Sequence, residues 1–220
     1  MDIKIIRKVI KNPNIKVRPT GEIVLTVPLE TSDEYIEKLL VKREGWIKEQ
    51  LEFFKKNFVV AKEKNYISGD SIRYLGRSYR LKVMDSKEEK VTFYRGYIYI
   101  HTEKIEDRDC KKLLLETWYR KRCEIIFNEI VQKYVKTLNL SLDKVGIRDM
   151  RTRWGSCNYE KRKINLNTKL IEKSKYCIEY VILHELAHLK YPNHGKRFYN
   201  YLLTHMPDYE WRKERLEENE

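Results

Sequence analysis

His184 and His188 stand four residues apart in a segment that is otherwise almost wholly apolar, and this restricts what the chain can build around them. Cys177, Ile178, Val181, Ile182, Leu183, Leu186 and Ala187 make a helix here apolar over most of its circumference. Such a helix is buried, and its polar groups need partners. Positions i and i+4 share one helix face, so both imidazoles can bind a single ion at roughly 2.0–2.1 Å per Zn–N bond. Glu185 projects to one side, where its carboxylate reaches a water in an open coordination position without filling that position. Pro192 predicts a helix end near Tyr191, after which Asn193 caps a further helix and His194 supplies a third nitrogen. Three of the five histidines fall in this window. The spacing points to one zinc ion on His184, His188 and His194, with Glu185 as general base of a hydrolase.

Length and composition set the frame. The chain has 220 residues with 41% hydrophobic content, enough for one large domain or two small ones. Its apolar runs fall far short of the ~18 residues that span a bilayer, and Met1-Asp2-Ile3-Lys4 lacks the layout of a signal peptide, so a cytoplasmic protein without a membrane partner is expected. Cys110, Cys123, Cys157 and Cys177 form no C-x-x-C pair and read as small buried hydrophobes. The net charge of +13 is clustered: residues 140–175 carry ten Lys/Arg against four Asp/Glu, and residues 1–20 carry six against one. That makes an anionic partner, nucleic acid included, a candidate.

Hydrophobic periodicity predicts an α+β chain. Extended stretches at 3–10, 15–18 and 22–27 precede a Thr31-x-x-Glu34 capping signature and a long helix through about residue 56. Strands are predicted at 71–75, 79–84, 90–94 and 97–101, a second long helix at 107–138, and strands at 145–149, 152–156 and 163–166. The metal helix then begins near Ser174, and helices at 194–204 and 209–217 follow. The division expected is a β-rich region 1–104 and a catalytic region 105–220, with a soft border and no internal repeat.

Several separated motifs occur in order: Glu44-Gly45-Trp46-Ile47, Tyr74-Leu75-Gly76-Arg77-Ser78-Tyr79, Trp118-Tyr119-Arg120, Arg153-Trp154-Gly155-Ser156-Cys157, Ile164-Asn165-Leu166-Asn167, His184-Glu185-Leu186-Ala187-His188-Leu189, Asn193-His194-Gly195-Lys196-Arg197-Phe198 and Met206-Pro207-Asp208-Tyr209. Through them nearly the entire chain resembles the YgjP-like metallopeptidase family. The resemblance implies a compact zincin-like core, related in its metal helix to SprT-like and WLM-type peptidases, with zinc on His184, His188 and His194 and Glu185 as base. A polypeptide substrate follows, with unfolded or DNA-associated proteins suggested by the SprT-like kinship. Metzincins share the histidine spacing but place glycine where this chain has Tyr191, and no Met-turn is recognisable.

Further site residues are less sharply drawn. Arg151, Arg153, Tyr191 and His205 are candidates for stabilising a developing oxyanion, and Trp154 is either a substrate contact or core filler. Glu179, Asn167 and Asp208 are candidate acceptors for the ligand imidazoles. Two other function classes stay open. A phosphate-anhydride hydrolase would hold nucleoside triphosphates with Arg148, Arg151, Arg153 and Arg162, although no phosphate-binding Gly-rich loop is present. A nucleic-acid-binding module with a structural zinc would require a fourth protein ligand.

Overall fold

In the computed structural model the described residues are 3–10, 12–17, 21–57, 64–150 and 153–217; Arg151 and the side chains of 53–57 lie outside that set. The elements run β1 (Ile3–Lys8), β2 (Asn14–Val17), β3 (Ile23–Pro28), α1 (Asp33–Asn57), β4 (Ser71–Tyr74), β5 (Arg77–Met84), β6 (Lys90–Tyr94), β7 (Tyr97–His101), α2 (Arg108–Thr137), β8 (Lys144–Arg148), β9 (Gly155–Asn158), β10 (Lys163–Asn167), a short 3-10 helix (Thr168–Glu172), α3 (Lys175–Ala187), α4 (Lys196–His205) and α5 (Tyr209–Glu217). The mixed α+β composition is as expected.

One topology recurs three times. In the sheets β1-β3-β2 and β8-β10-β9, and in the β5-β7-β6 part of the four-stranded sheet β4-β5-β7-β6, the last strand of the trio enters the middle. It lies parallel to the first strand and antiparallel to the second. The middle strand is therefore the most buried, as Leu25, Ile98, Ile100, Ile164 and Leu166 show with 0% exposure. No sequence repeat betrays this arrangement, because burial asks only for alternating apolar residues.

The chain divides into two compact units, Met1–Glu63 and Lys64–Glu220. In the first, Leu25, Val27 and Ile36 form a small core with Ile3, Ile15, Leu39 and Leu40 around it. The α1 cap is Ser32, whose Oγ accepts from Tyr35 N at 3.4 Å, one residue later than the Thr31 signature predicts. In the second unit a single core joins Ile98 and Ile100 of β7 to Phe127 of α2 and to most of α3. The border expected near 104 thus falls inside this unit, since α2 packs on β6 and β7 and gives their inner face its cover.

Two local devices hold α3 in place. Ser174 Oγ accepts from Cys177 N at its start. The β4–β5 turn docks on the 3-10 helix through Leu75 N to Ile171 O (2.8 Å) and Gly76 N to Glu172 O (3.1 Å). Gly76 has φ +78°, and a Cβ there would lie 2.8 Å from Ser174 Cα, so position 76 admits no side chain on two counts. No helix among the described residues is long and apolar enough to cross a membrane.

Candidate metal centre

The burial predicted for α3 is observed: Cys177, Ile178, Tyr180 to Leu183 and Glu185 to Ala187 are all buried. Helices α2, α4 and α5 and strands β9 and β10 surround it. The helix ends at Ala187, four residues earlier than Pro192 alone suggests. His188 is its C-cap, and the chain leaves through a tightened turn in which Leu189 N reaches Leu186 O at 3.1 Å and Lys190 N reaches Ala187 O at 3.0 Å. A second correction concerns the next helix. Gly195, not Asn193, is the N-cap of α4, so His194 belongs to the connecting loop and is free to turn back on α3.

It does turn back. One ligand atom from each of His184, His188 and His194 lies within 4.8 Å of the others. Nε2 of His194 is 3.0 Å from Nε2 of His184. Two nitrogens bound tetrahedrally at 2.0–2.1 Å lie roughly 3.3 Å apart, so this pair already has about the spacing a shared ion requires. The protonation states agree with the spacing. Burial, then the neighbouring His188 and His194, lower the His184 pKa to about 3, which keeps its imidazole neutral. His188 is also lowered, chiefly by burial. Its Nδ1 is 3.1 Å from Tyr191 O, and because a carbonyl only accepts, Nδ1 carries the proton and Nε2 offers its lone pair. Nδ1 of His184 is buried without a hydrogen-bond partner among the described residues. Neutral imidazoles with converging lone pairs fit a borderline-soft divalent cation such as zinc.

Phe198 carries no role in the sequence argument beyond its place in a motif, yet it organises the cluster. It is fully buried, and its ring centroid lies 5.0, 4.7 and 4.7 Å from those of His184, His188 and His194. One aromatic side chain from α4 therefore supports all three imidazoles.

Glu185 is 7% exposed, and burial pushes its carboxyl up to about 7 against the pull of Arg153. It meets β9 at Gly155, where an added Cβ would lie 2.6 Å from both Cγ and Oε1 of Glu185. β9 begins at Gly155; of the residues expected before it Thr152 lies outside the described set, and the carbonyl of Arg153 is held by the side chain of Asn167. Asn167 Nδ2 donates to Met150 O (2.8 Å) and Arg153 O (2.9 Å), and Asn167 N donates to Trp154 O (2.9 Å). Asn167 thus holds the approach to β9 and is no acceptor for a ligand imidazole.

The remaining candidates separate. Arg153 is exposed and its charge acts on Glu185. Trp154 packs against the main core with Lys173 Nζ 5.8 Å from its ring centroid, which is a packing position. Tyr191 contributes its carbonyl to His188, while its ring lies tilted against Tyr201, 5.5 Å between centroids. His205 is exposed and sits against Tyr201, 4.5 Å between centroids, apart from the histidine cluster. Arg151 lies outside the described residues. Glu179 and Asp208 both pair with Arg212, at 2.7 and 2.9 Å, the first tying α3 to α5 and the second lying i,i+4 at the start of α5.

The chain belongs to the family of the YgjP-like metallopeptidase domain, whose model matches residues 11–219. The family implies a metal cofactor. Two solved structures are similar over part of the chain. The metallopeptidase zymogen jannalysin of Methanocaldococcus jannaschii shares 25% identity at a TM-score of 0.38, over 41% of this chain and 92% of that one. The metallopeptidase zymogen abylysin of Pyrococcus abyssi shares 19% at 0.38, over 41% and 90%. No curated protein matches the chain.

Proposed function

We propose that His184, His188 and His194 hold one zinc ion and that Glu185 is the general base of peptide-bond hydrolysis. The observation that carries this is the convergence of three imidazoles beside a buried carboxylate that stays out of the ligand set. When bound, zinc supplies Lewis acidity and lowers the pKa of a coordinated water toward ~7. Glu185 takes the proton from the attacking water at its carboxylate and returns it to the amine as the C–N bond breaks. Phe198 and the Tyr191 carbonyl keep the imidazoles oriented, and the apolar packing of α3 excludes bulk water. Arg153, exposed beside Glu185, is the candidate cation for the developing oxyanion.

An extended, unfolded polypeptide is the substrate form favoured, because β9 is the edge of its sheet and its unpaired backbone can add a strand beside Glu185. DNA-associated proteins are a narrower class, supported only by the positive charge of residues 140–175. The four free cysteines favour a reducing, cytoplasmic setting. The phosphate-anhydride alternative loses support because Arg162 is occupied by Asp143 (3.2 Å) and Ser141 (3.1 Å), at the far end of β10 from the Leu166–Gly155 pair. A structural zinc would need a fourth ligand, and among the described residues no Cys, Asp or Glu joins the three histidines.

The test offers the zinc-loaded protein an unfolded polypeptide, with and without DNA, together with nucleoside triphosphates. Cleaved peptide bonds with intact nucleotides are expected. Phosphate release with the polypeptide left intact would replace this reading with the nucleotide hydrolase.

A further inference from the structure

The outer face of the β4–β7 sheet has no role in the metal centre, and its composition is unusual. Ile98 and Ile100 point inward at 0% exposure, so Tyr97, Tyr99 and His101 lie in a row on the opposite face of the central strand. Their rings follow one another at 6.2 Å, Tyr97 to Tyr99 and Tyr99 to His101, the second pair stacked. Paired residues on neighbouring strands share that face. Arg80 stands beside Tyr97 and Lys82 beside Tyr99 on β5, while Tyr94 and Lys90 flank Tyr97 and His101 on β6. Lys82 Nζ lies 4.2 Å from the Tyr97 centroid and 5.5 Å from that of Tyr99. Arg95, in the turn, lies 5.2 Å from the Tyr94 centroid.

Cations predominate on this face. By alternation Arg73, Arg80, Lys82 and Lys90 share this face, and strands β4 to β7 carry no Asp or Glu. The acids flanking these strands are Asp70 before β4, Asp85, Glu88 and Glu89 between β5 and β6, and Glu103 after β7, and of these Glu88 pairs with Lys90 at 2.6 Å. A solubilising surface would interleave both signs and expose few rings. A ladder of aromatic faces with cations between them instead matches what an unpaired nucleobase and its phosphate require: a π-surface for stacking and a mobile positive charge within reach of the backbone. Lys82 can swing from the ring to a phosphate, uncovering the ring for a base. A duplex offers no free base faces, and an acidic peptide uses the cations but has no call on a row of three rings.

We infer that this sheet face, built on Tyr97, Tyr99 and His101 with Arg80 and Lys82, is a docking surface for single-stranded nucleic acid. It is separate in residues from the metal centre and stands or falls independently of it. The experiment measures fluorescence anisotropy of a short labelled oligothymidylate with the full-length, zinc-loaded chain at two salt concentrations. Binding is expected, stronger than to a duplex of equal charge or to a polyglutamate peptide. Replacing Tyr97 and Tyr99 together by Ala weakens it by about tenfold or more, with peptide cleavage unchanged. Lys82→Glu also weakens it and flattens its salt dependence, without disturbing the rings. Tyr159→Ala, at an exposed tyrosine of the β9–β10 turn, leaves binding intact. No binding at low salt, equal affinity for duplex or polyglutamate, or equal losses in Tyr159→Ala and the paired variant would overturn the assignment.

Discussion

Gly155 and Glu185 touch across the junction of β9 and α3 so closely that a Cβ on residue 155 would stand 2.6 Å from the glutamate's Cγ and Oε1. Gly155 is therefore a positioning residue for the carboxylate, acting through the volume it leaves empty. Gly155→Ala is expected to displace Glu185 and lower kcat by roughly 10–100-fold, since a shift of about 1 Å at a reacting group can cost ~10²-fold. Zinc content and KM should stay near wild type. A kcat that matches wild type would show that the contact is only packing.

His194 reaches the cluster from a loop and is exposed, so removing it leaves the core intact. His194→Ala should weaken zinc binding beyond the ~10–100-fold typical of losing an outer-shell partner, measured by competition with a chromophoric chelator. Unchanged affinity would exclude it as a ligand.

Phe198 packs against all three imidazoles with no exposed surface. Phe198→Ala should cost about 3–5 kcal/mol in urea unfolding of the metal-free protein, the range for a buried Phe truncation. A loss below ~1 kcal/mol would mean the ring is not a structural support.

Glu172 provides a pH-dependent prediction away from the metal site. Burial raises its carboxyl pKa, against the pull of Lys64, Lys169, Arg73 and Lys173. A raised carboxylate pKa means the folded state holds the proton more tightly than the unfolded one. That contribution is fully present below the unfolded value of ~4.3 and is lost as pH rises through the folded value. Glu172→Gln should therefore raise the melting temperature at pH 8 and leave it nearly unchanged at pH 4. A gain of equal size at both pH values would contradict the assignment of the cost to ionisation.

Element types and the histidine cluster were legible in the sequence because each rests on local periodicity: i, i+4 for His184 and His188, alternation for β7, the Ser174 cap for α3. What lay beyond reach depends on partners distant in the chain. The hold of Asn167 on the carbonyls of Met150 and Arg153, just before β9, is one such contact. The claim of Arg212 on Glu179 removes a candidate imidazole acceptor, and only the packing of α5 on α3 reveals it. The role of Phe198 needs α4 placed against α3, and the clash at Gly155 needs β9 placed against Glu185. The grouping of β4 to β7 with α2 likewise depends on which face Ile98 and Ile100 bury.

The most direct test compares zinc-loaded wild type and Glu185→Gln on one unfolded polypeptide, with bound zinc measured in both. The account predicts equal zinc and peptide-bond cleavage by wild type alone. Cleavage by Glu185→Gln at the wild-type rate, with zinc retained, would contradict it.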